Sequence, residues 1–349
     1  MTDPALAKVQ APVVVACNAP YGSGGMGRHL LEIVQFFRSR DIEVTYFDAI
    51  PSPALNLLRR FTPLRFSPPW QVHLESIHFD KSVARRLPKA GTFIGFNGQS
   101  LLSLRRAVAL GYRSKLLAAA MLHVNFVTAQ DRKAWQYSPV EPLGYIRQRQ
   151  ERSFREYEDA DAILCATELT KTTFASEGVP REKLWRFQYS PHPRYTRPAK
   201  RENDSSFRIV MVGSLTIAKG VAVMLDAFEK LNAQKSELVL VGGSGTRQMR
   251  RFLQNRVAQD ARIKIAPGDP LPHLQTAHVC VHPSFHDGFG YAPMEALACG
   301  TPVIVSETTG MKEFVRDGVN GFILPAGDPR ALVDALERVR AGALAGYRI

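Results

Sequence analysis

The stretch Pro283-Ser284-Phe285-His286-Asp287-Gly288-Phe289-Gly290-Tyr291-Ala292-Pro293-Met294-Glu295-Ala296-Leu297-Ala298-Cys299-Gly300-Thr301-Pro302-Val303 decides how the rest of the chain is read. Val279-Cys280-Val281 before it is a short apolar run that reads as a buried strand, and Ile304 and Val305 begin another. Between them lie a loop with two close glycines and a helix of small residues, with Pro293 placed in its first turn. Strand, glycine loop, helix, strand is a parallel α/β unit. Open sheets of this kind bind ligands beyond the carboxyl ends of their strands.

The chemistry of the stretch follows from its residue types. Gly288 and Gly290 let the backbone come close to a ligand, and the amides of Tyr291 to Met294 are expected to face an anion such as a diphosphate. Asp287 falls in the loop and Glu295 in the first helical turn, with seven residues between them. Carboxylates are poor partners for phosphate and good acceptors for hydroxyl groups. A sugar nucleotide carries both kinds of group. A second reading stays open, in which Glu295 only caps the helix start and Asp287 only shapes a turn.

Outward from this stretch, 349 residues are enough for two domains, and 45% hydrophobic residues are enough for their cores. A formal net charge of +13 suggests an anionic partner, a basic soluble protein being the plainer alternative. The four cysteines are scattered in apolar contexts without a Cys-x-x-Cys, which fits buried free thiols in a cytoplasmic protein. No leader pattern and no run of about 18 apolar residues appears, so neither a signal peptide nor a spanning helix is expected.

Near the start, Pro12-Val13-Val14-Val15-Ala16-Cys17 reads as a first strand, and Leu30, Ile33, Val34 and Phe37 recur at helical spacing after a glycine loop. That loop, Gly22-x-Gly24-x-x-Gly27 with Asp48 downstream, matches a dinucleotide fingerprint and supports an NAD-dependent oxidoreductase as the alternative function. Asn18 to Tyr21 intervene between strand and fingerprint, which is unusual for it. The stretch from 51 to 70 mixes prolines, arginines, leucines and phenylalanines, including Leu57, Leu58, Arg59, Arg60, Phe61, Pro63, Leu64, Arg65 and Phe66. It reads either as a contact with an anionic membrane surface or as an excursion packed on its own domain. Arg147 to Asp159 reads as a charged helix. A Pro-, Arg-, Lys- and Ser-rich segment places a boundary: an N-terminal domain over 1–192, a linker over 193–206 and a C-terminal domain over 207–349.

The stretch at 283–303 resembles the acidic-x7-Glu signature of the retaining glycosyltransferases of the GT-B fold, family GT4 (glycosyl transferase group 1). Their pattern runs Pro-Ser-x-x-Glu-Gly-Phe-Gly-x-x-x-x-Glu-Ala and then Gly-x-Pro-Val; here Asp287 stands where Glu is usual. Asp317-Gly318-Val319-Asn320-Gly321-Phe322 also matches the family, and Gly213-Ser214-Leu215 to Lys219-Gly220 resembles its Gly-Arg-Leu-x-x-x-Lys-Gly with Ser214 in place of the arginine. The resemblance implies two Rossmann-like parallel-sheet domains facing across a cleft. It also implies transfer of a sugar, with retention, from a nucleotide-diphosphate sugar to an acceptor hydroxyl on a glycan, a lipid-linked or a small molecule.

In that reading Asp287, His123 and Lys219 do the catalytic work. Gly24, Gly25, Gly213, Ser214, Lys219, Gly288, Phe289, Gly290, Tyr291 and Glu295 hold the donor. The protein is read as cytoplasmic, peripheral membrane contact being open, with no nucleic-acid partner expected. No cofactor is expected. The chain is read as lacking an acidic metal cluster of the Asp-x-Asp kind, and metal independence is expected with it. A non-catalytic nucleotide-sugar binding protein is a third reading, allowed by the departures at Ser214 and Asp287.

Overall fold

The computed structural model describes residues 8–62, 67–143, 146–199, 206–231 and 233–344, without the side chains of Arg59 and Arg60. Of the sequence expectations, Pro63, Leu64, Arg65 and Phe66, residues 200–205 of the linker and the last five residues of the closing segment (345–349) lie outside the described residues. The chain divides into two compact units, one of residues 1–128 with 144–189, the other of residues 129–143 with 190–349. The sequence reading placed 129–143 in the first domain; contacts group it with the second.

The first unit holds a six-stranded sheet in the order β2-β1-β3-β4-β5-β6, with every neighbouring pair parallel. Its strands are β1 (Val13–Ala16), β2 (Val44–Phe47), β3 (Thr92–Phe96), β4 (Ser114–Ala119), β5 (Ala162–Cys165) and β6 (Leu184–Arg186). Strands β1, β3 and β5 are buried throughout, which is why they appear in the sequence as continuous apolar runs instead of alternating ones. The helices between them are α1 (Gly24–Arg38), α2 (Pro53–Phe61), α3 (Pro68–Arg86), α4 (Leu101–Ala109), α5 (Val124–Tyr137), α6 (Arg147–Asp159) and α7 (Glu168–Ala175). The later part of α5 belongs to residues 129–143. Helix α1 buries Leu30, Ile33, Val34 and Phe37, the stripe its spacing predicts.

The second unit repeats the layer plan in the order β12-β11-β10-β7-β8-β9, again all parallel. Its strands are β7 (Phe207–Val212), β8 (Ser236–Val241), β9 (Ile263–Ala266), β10 (Val279–His282), β11 (Val303–Ser306) and β12 (Gly321–Leu324). Its helices are α8 (Val221–Lys230), α9 (Arg247–Gln259), α10 (Leu271–Thr276), α11 (Tyr291–Ala298) and α12 (Pro329–Arg340). Asp328 caps α12 by accepting from the amides of Arg330 and Ala331, with Pro329 at the first helical position as the sequence suggests. One core is built around Met224, Phe228, Leu238, Leu240, Ile304 and Leu336. The strand order reverses between β7 and β10. At such a point the two outgoing loops part and leave a crevice at the strands' carboxyl ends. No described helix is long and apolar enough to cross a membrane.

Candidate active site

The loops leaving β7 and β10 carry the candidate residues of the second unit, and the backbone ties them together. The carbonyl of Ala218 accepts from the Phe285 amide at 2.8 Å and from the Ser284 hydroxyl at 3.2 Å. Gly220 has φ +75°, and a Cβ there would stand 2.0 Å from the Pro283 carbonyl oxygen. Lys219 is therefore clamped between two residues that are themselves fastened to the loop of Asp287. This is the physical need for glycine after the lysine, since any side chain would push the loops apart.

With the loops so held, the Lys219 ammonium reaches Asp287 Oδ2 at 2.6 Å, and His282 Nε2 reaches the same oxygen at 2.9 Å. The Asp287 side chain is 16% exposed and Lys219 29%, so the pair lies at the lip of the crevice. Burial opposes ionisation of Asp287, yet Lys219 and His282 hold its carboxyl well below the usual carboxylate range. A carboxylate only accepts, so His282 must donate from Nε2. Its Nδ1 is buried without a hydrogen-bond partner among the described residues. Asp287 Oδ1 accepts from the Phe289 amide at 3.3 Å. The backbone of Asp287 bonds the loop after β11, its amide donating to Thr308 O and its carbonyl accepting from Gly310 N. The structure thus brings Lys219 and Asp287 into one cluster and adds His282, which the sequence reading passed over. The available signal was a polar residue closing the apolar run of β10 at its carboxyl end.

The helix start differs in detail from expectation. Helix α11 begins at Tyr291 with Gly290 before it at φ +94°, so Glu295 falls in the second turn and not the first. It is buried and does not occupy the capping-box position, which Pro293 takes. Pro293 has no N–H, and the Met294 amide donates to Gly290 O at 3.4 Å, so the expected set of four anion-facing amides is reduced to those of Tyr291 and Ala292. Phe289 is buried with its ring edge-on to Tyr291 at 4.8 Å, so only its backbone is available to a ligand. Gly288 is buried beside it.

Gly213 and Ser214 are exposed at the end of β7. A Cβ on Gly242 would stand 1.9 Å from Gly213 O, so the loops after β7 and β8 touch through bare backbone. Glu141, from the 129–143 segment, joins the same two loops: it accepts from the Ile217 amide at 3.0 Å and the Thr246 hydroxyl at 2.7 Å. Asp131 from that segment pairs with His286 at 2.9 Å, and the Tyr137 hydroxyl donates to Asp226 at 2.6 Å. None of these was legible, because the partners are separated by 76 to 155 residues for Glu141–Ile217, Glu141–Thr246, Tyr137–Asp226 and Asp131–His286.

In the first unit, His123 lies just beyond β4, buried among Phe154, Tyr157 and Phe174. Burial holds its imidazole below the ordinary range, against the pull of Glu177. Its Nδ1 accepts from the Asn125 amide at 3.3 Å. Gly24 and Gly25 open α1 in exposed positions where an added Cβ meets nothing within 4 Å. Gly27 instead needs its bareness, a Cβ there falling 2.0 Å from Pro20 O. Asp48, the ribose ligand of the dinucleotide alternative, accepts from the Tyr21 amide at 3.3 Å and so braces the loop itself. One Asp-x-Asp does occur, Asp159-Ala160-Asp161, contrary to the ground given for metal independence. Its carboxylates pair separately, Asp159 with Arg105 at 2.8 Å and Asp161 with Lys115 at 2.7 Å.

Residues 206–341 match the family described as Glycosyl transferases group 1. An uncharacterized glycosyltransferase of Methanocaldococcus jannaschii is 33% identical over 143 residues, covering 39% of this chain and 36% of that protein. Among solved structures, the sucrose-phosphate synthase of Thermosynechococcus elongatus aligns with a TM-score of 0.66 at 19% identity, covering 96% of this chain and 90% of the other. The Anabaena protein HepE in complex with UDP-glucose aligns at 0.64 with 14% identity, over 95% and 90%. At these identities the structural likeness establishes the shared fold.

Proposed function

We propose, for a chain whose residues 206–341 match the model of the glycosyl transferases group 1 family, that it moves a sugar from a nucleoside-diphosphate sugar to an acceptor hydroxyl with retention of configuration. The observation that carries this reading is the Lys219–Asp287–His282 cluster at the switch point of the second sheet. An ammonium has three donors, and Asp287 uses one of them. The other two suit the diphosphate, whose growing charge is the main thing catalysis must stabilise. The amides at the start of α11 serve the same phosphates. Asp287 Oδ1 keeps capacity for a sugar hydroxyl, and Glu295 is assigned the ribose.

The step is a same-face displacement. The anomeric C–O bond to phosphate breaks, the acceptor oxygen bonds that carbon, and the acceptor's proton passes to the leaving phosphate oxygen. No protein nucleophile and no metal enter this scheme. Ser214, exposed where relatives of the pattern carry arginine, removes one cation from the phosphate side.

Thermal-shift titration with UDP, GDP, ADP and NAD in parallel tests the reading. Binding to the folded state alone raises its stability by about 2.7 kcal/mol at a hundredfold excess over Kd. One nucleoside diphosphate is expected to stabilise the chain and NAD is not. Stabilisation by NAD alone would move the site to the Gly22–Gly27 loop and end the transferase reading.

A further inference from the structure

We propose that His282 is a positioning residue of the donor site: it holds the Asp287 carboxylate in place for a sugar hydroxyl while Lys219 turns to the diphosphate. This rests on the transferase reading, which assigns those two groups to the donor. Of the two side chains on Asp287 Oδ2, the imidazole is the fixed one. The His282 side chain is 5% exposed and that of Lys219 29%. His282 closes β10, which pairs on one side with β11, Val305 standing opposite His282, and on the other with β7. The loop that joins the histidine to the acid is fastened as well. Ser284 O accepts from the buried hydroxyls of Ser306 and Thr308, and the Asp287 backbone bonds Thr308 and Gly310. A side chain locked in this way can hold another at a working geometry.

The second nitrogen of the ring is an independent observation. His282 Nδ1 is buried and has no hydrogen-bond partner among the described residues. A buried polar atom without a partner lowers stability. Val279, Cys280 and Val281 before it are fully buried, and a further apolar residue would end the strand without that cost. Packing therefore does not require a histidine here, whereas the bond from Nε2 to Asp287 does. Asp287 Oδ1 accepts one long bond, from the Phe289 amide at 3.3 Å, so it can also take a hydroxyl once Oδ2 is held. An ammonium on a four-carbon stem leaves a carboxylate readily for a phosphate, and the imidazole then keeps the acid from swinging after it.

Two measurements test this. The first needs no ligand. In Lys219→Met, the proton on His282 Nε2 is read by nitrogen–proton NMR and assigned by its loss in His282→Gln. It is expected to stay at the downfield position of a carboxylate-bonded imidazole. Its move to the position of a free imidazole would make the lysine the anchor and overturn the proposal. The second is calorimetry with UDP, GDP and ADP beside UDP-glucose, GDP-glucose and ADP-glucose. His282→Asn and His282→Gln are compared, because the amide nitrogen of Gln falls near the place of Nε2 and that of Asn near the place of Nδ1. Asn is expected to weaken binding of the sugar nucleotide about tenfold more than binding of the bare diphosphate, and Gln to recover most of that loss. Equal losses for sugar nucleotide and diphosphate, or equal losses in the two variants, would overturn the role while leaving the transferase reading intact. Failure of the unmodified chain to bind any of the six would end the transferase reading, and this role with it.

Discussion

Each unit buries a cluster of acid and cation, and the two clusters are built for opposite ends. In the first unit, Glu156 accepts from the amides of Gly98, Ser100 and Leu101, and Asp80 from those of Leu102 and Ser103. Arg152 bonds both acids. The donors are backbone groups at the start of α4 that have no intrahelical acceptor, so the carboxylates finish a helix and cannot be released. In the second unit, Asp287 is held mainly by two side chains, the buried His282 and the partly exposed Lys219. The lysine ammonium, on its four-carbon stem, can turn to a ligand at small cost. A buried acid satisfied by backbone belongs to the fold, and one satisfied by side chains at a strand end is available for chemistry.

The largest effect that would break this contrast is on stability. Glu156→Ala leaves the buried amides of Ser100 and Leu101 without their acceptor and Arg152 with only one of its two acids, and is expected to lower stability by about 3–5 kcal/mol. Lys219→Ala is expected to lower stability by about 1 kcal/mol while reducing transfer about a thousandfold. Urea denaturation beside a transfer assay on both variants checks this. Equal destabilisation would place the Asp287 cluster with the fold.

An intermediate effect lies in the pH dependence, where the two acids have opposite signs. Burial pushes the Glu156 carboxyl up to about 7 from its ordinary 4.5, so the folded state binds the proton more tightly. Its stabilising contribution is present below about 4.5 and is lost as pH rises through about 7. Asp287 is depressed below its ordinary 3.8, so its contribution is present above that value and is lost as pH falls through the lower one. Melting temperatures across pH are expected to flatten between about 4.5 and 7 for Glu156→Gln and at the acid end for Asp287→Asn. Matching profiles for the two variants would remove the distinction.

The smallest effect sharpens the contrast. Ser214→Arg restores a cation on the exposed loop after β7, and is expected to tighten nucleoside-diphosphate binding about three- to tenfold by calorimetry. No change would mean that Ser214 does not face the phosphates.

Much of this architecture was readable in advance where local rules hold. The apolar runs of β1 and β10, the buried stripe of α1 and the helix over Arg147–Asp159 stand where the sequence puts them. Ser52-Pro53 was an equally good start signal for α2, yet the stretch was read as either a membrane contact or an excursion on its own domain, with no helix assigned to it. Glu295 was assigned one turn early, because two glycines and a proline leave the first helical residue undetermined from sequence.

By itself the sequence determined two parallel α/β units, the loop at 283–290 and the lysine before Gly220, because apolar runs, glycines and prolines act through neighbours along the chain. Only the tertiary structure decided that Lys219 and His282 meet on one oxygen of Asp287, that Glu141 spans the loops after β7 and β8, and that Asp80 and Glu156 finish α4. Those contacts depend on strand order. Setting β7 beside β10 brings together residues 68 positions apart, and no local spacing encodes that neighbour.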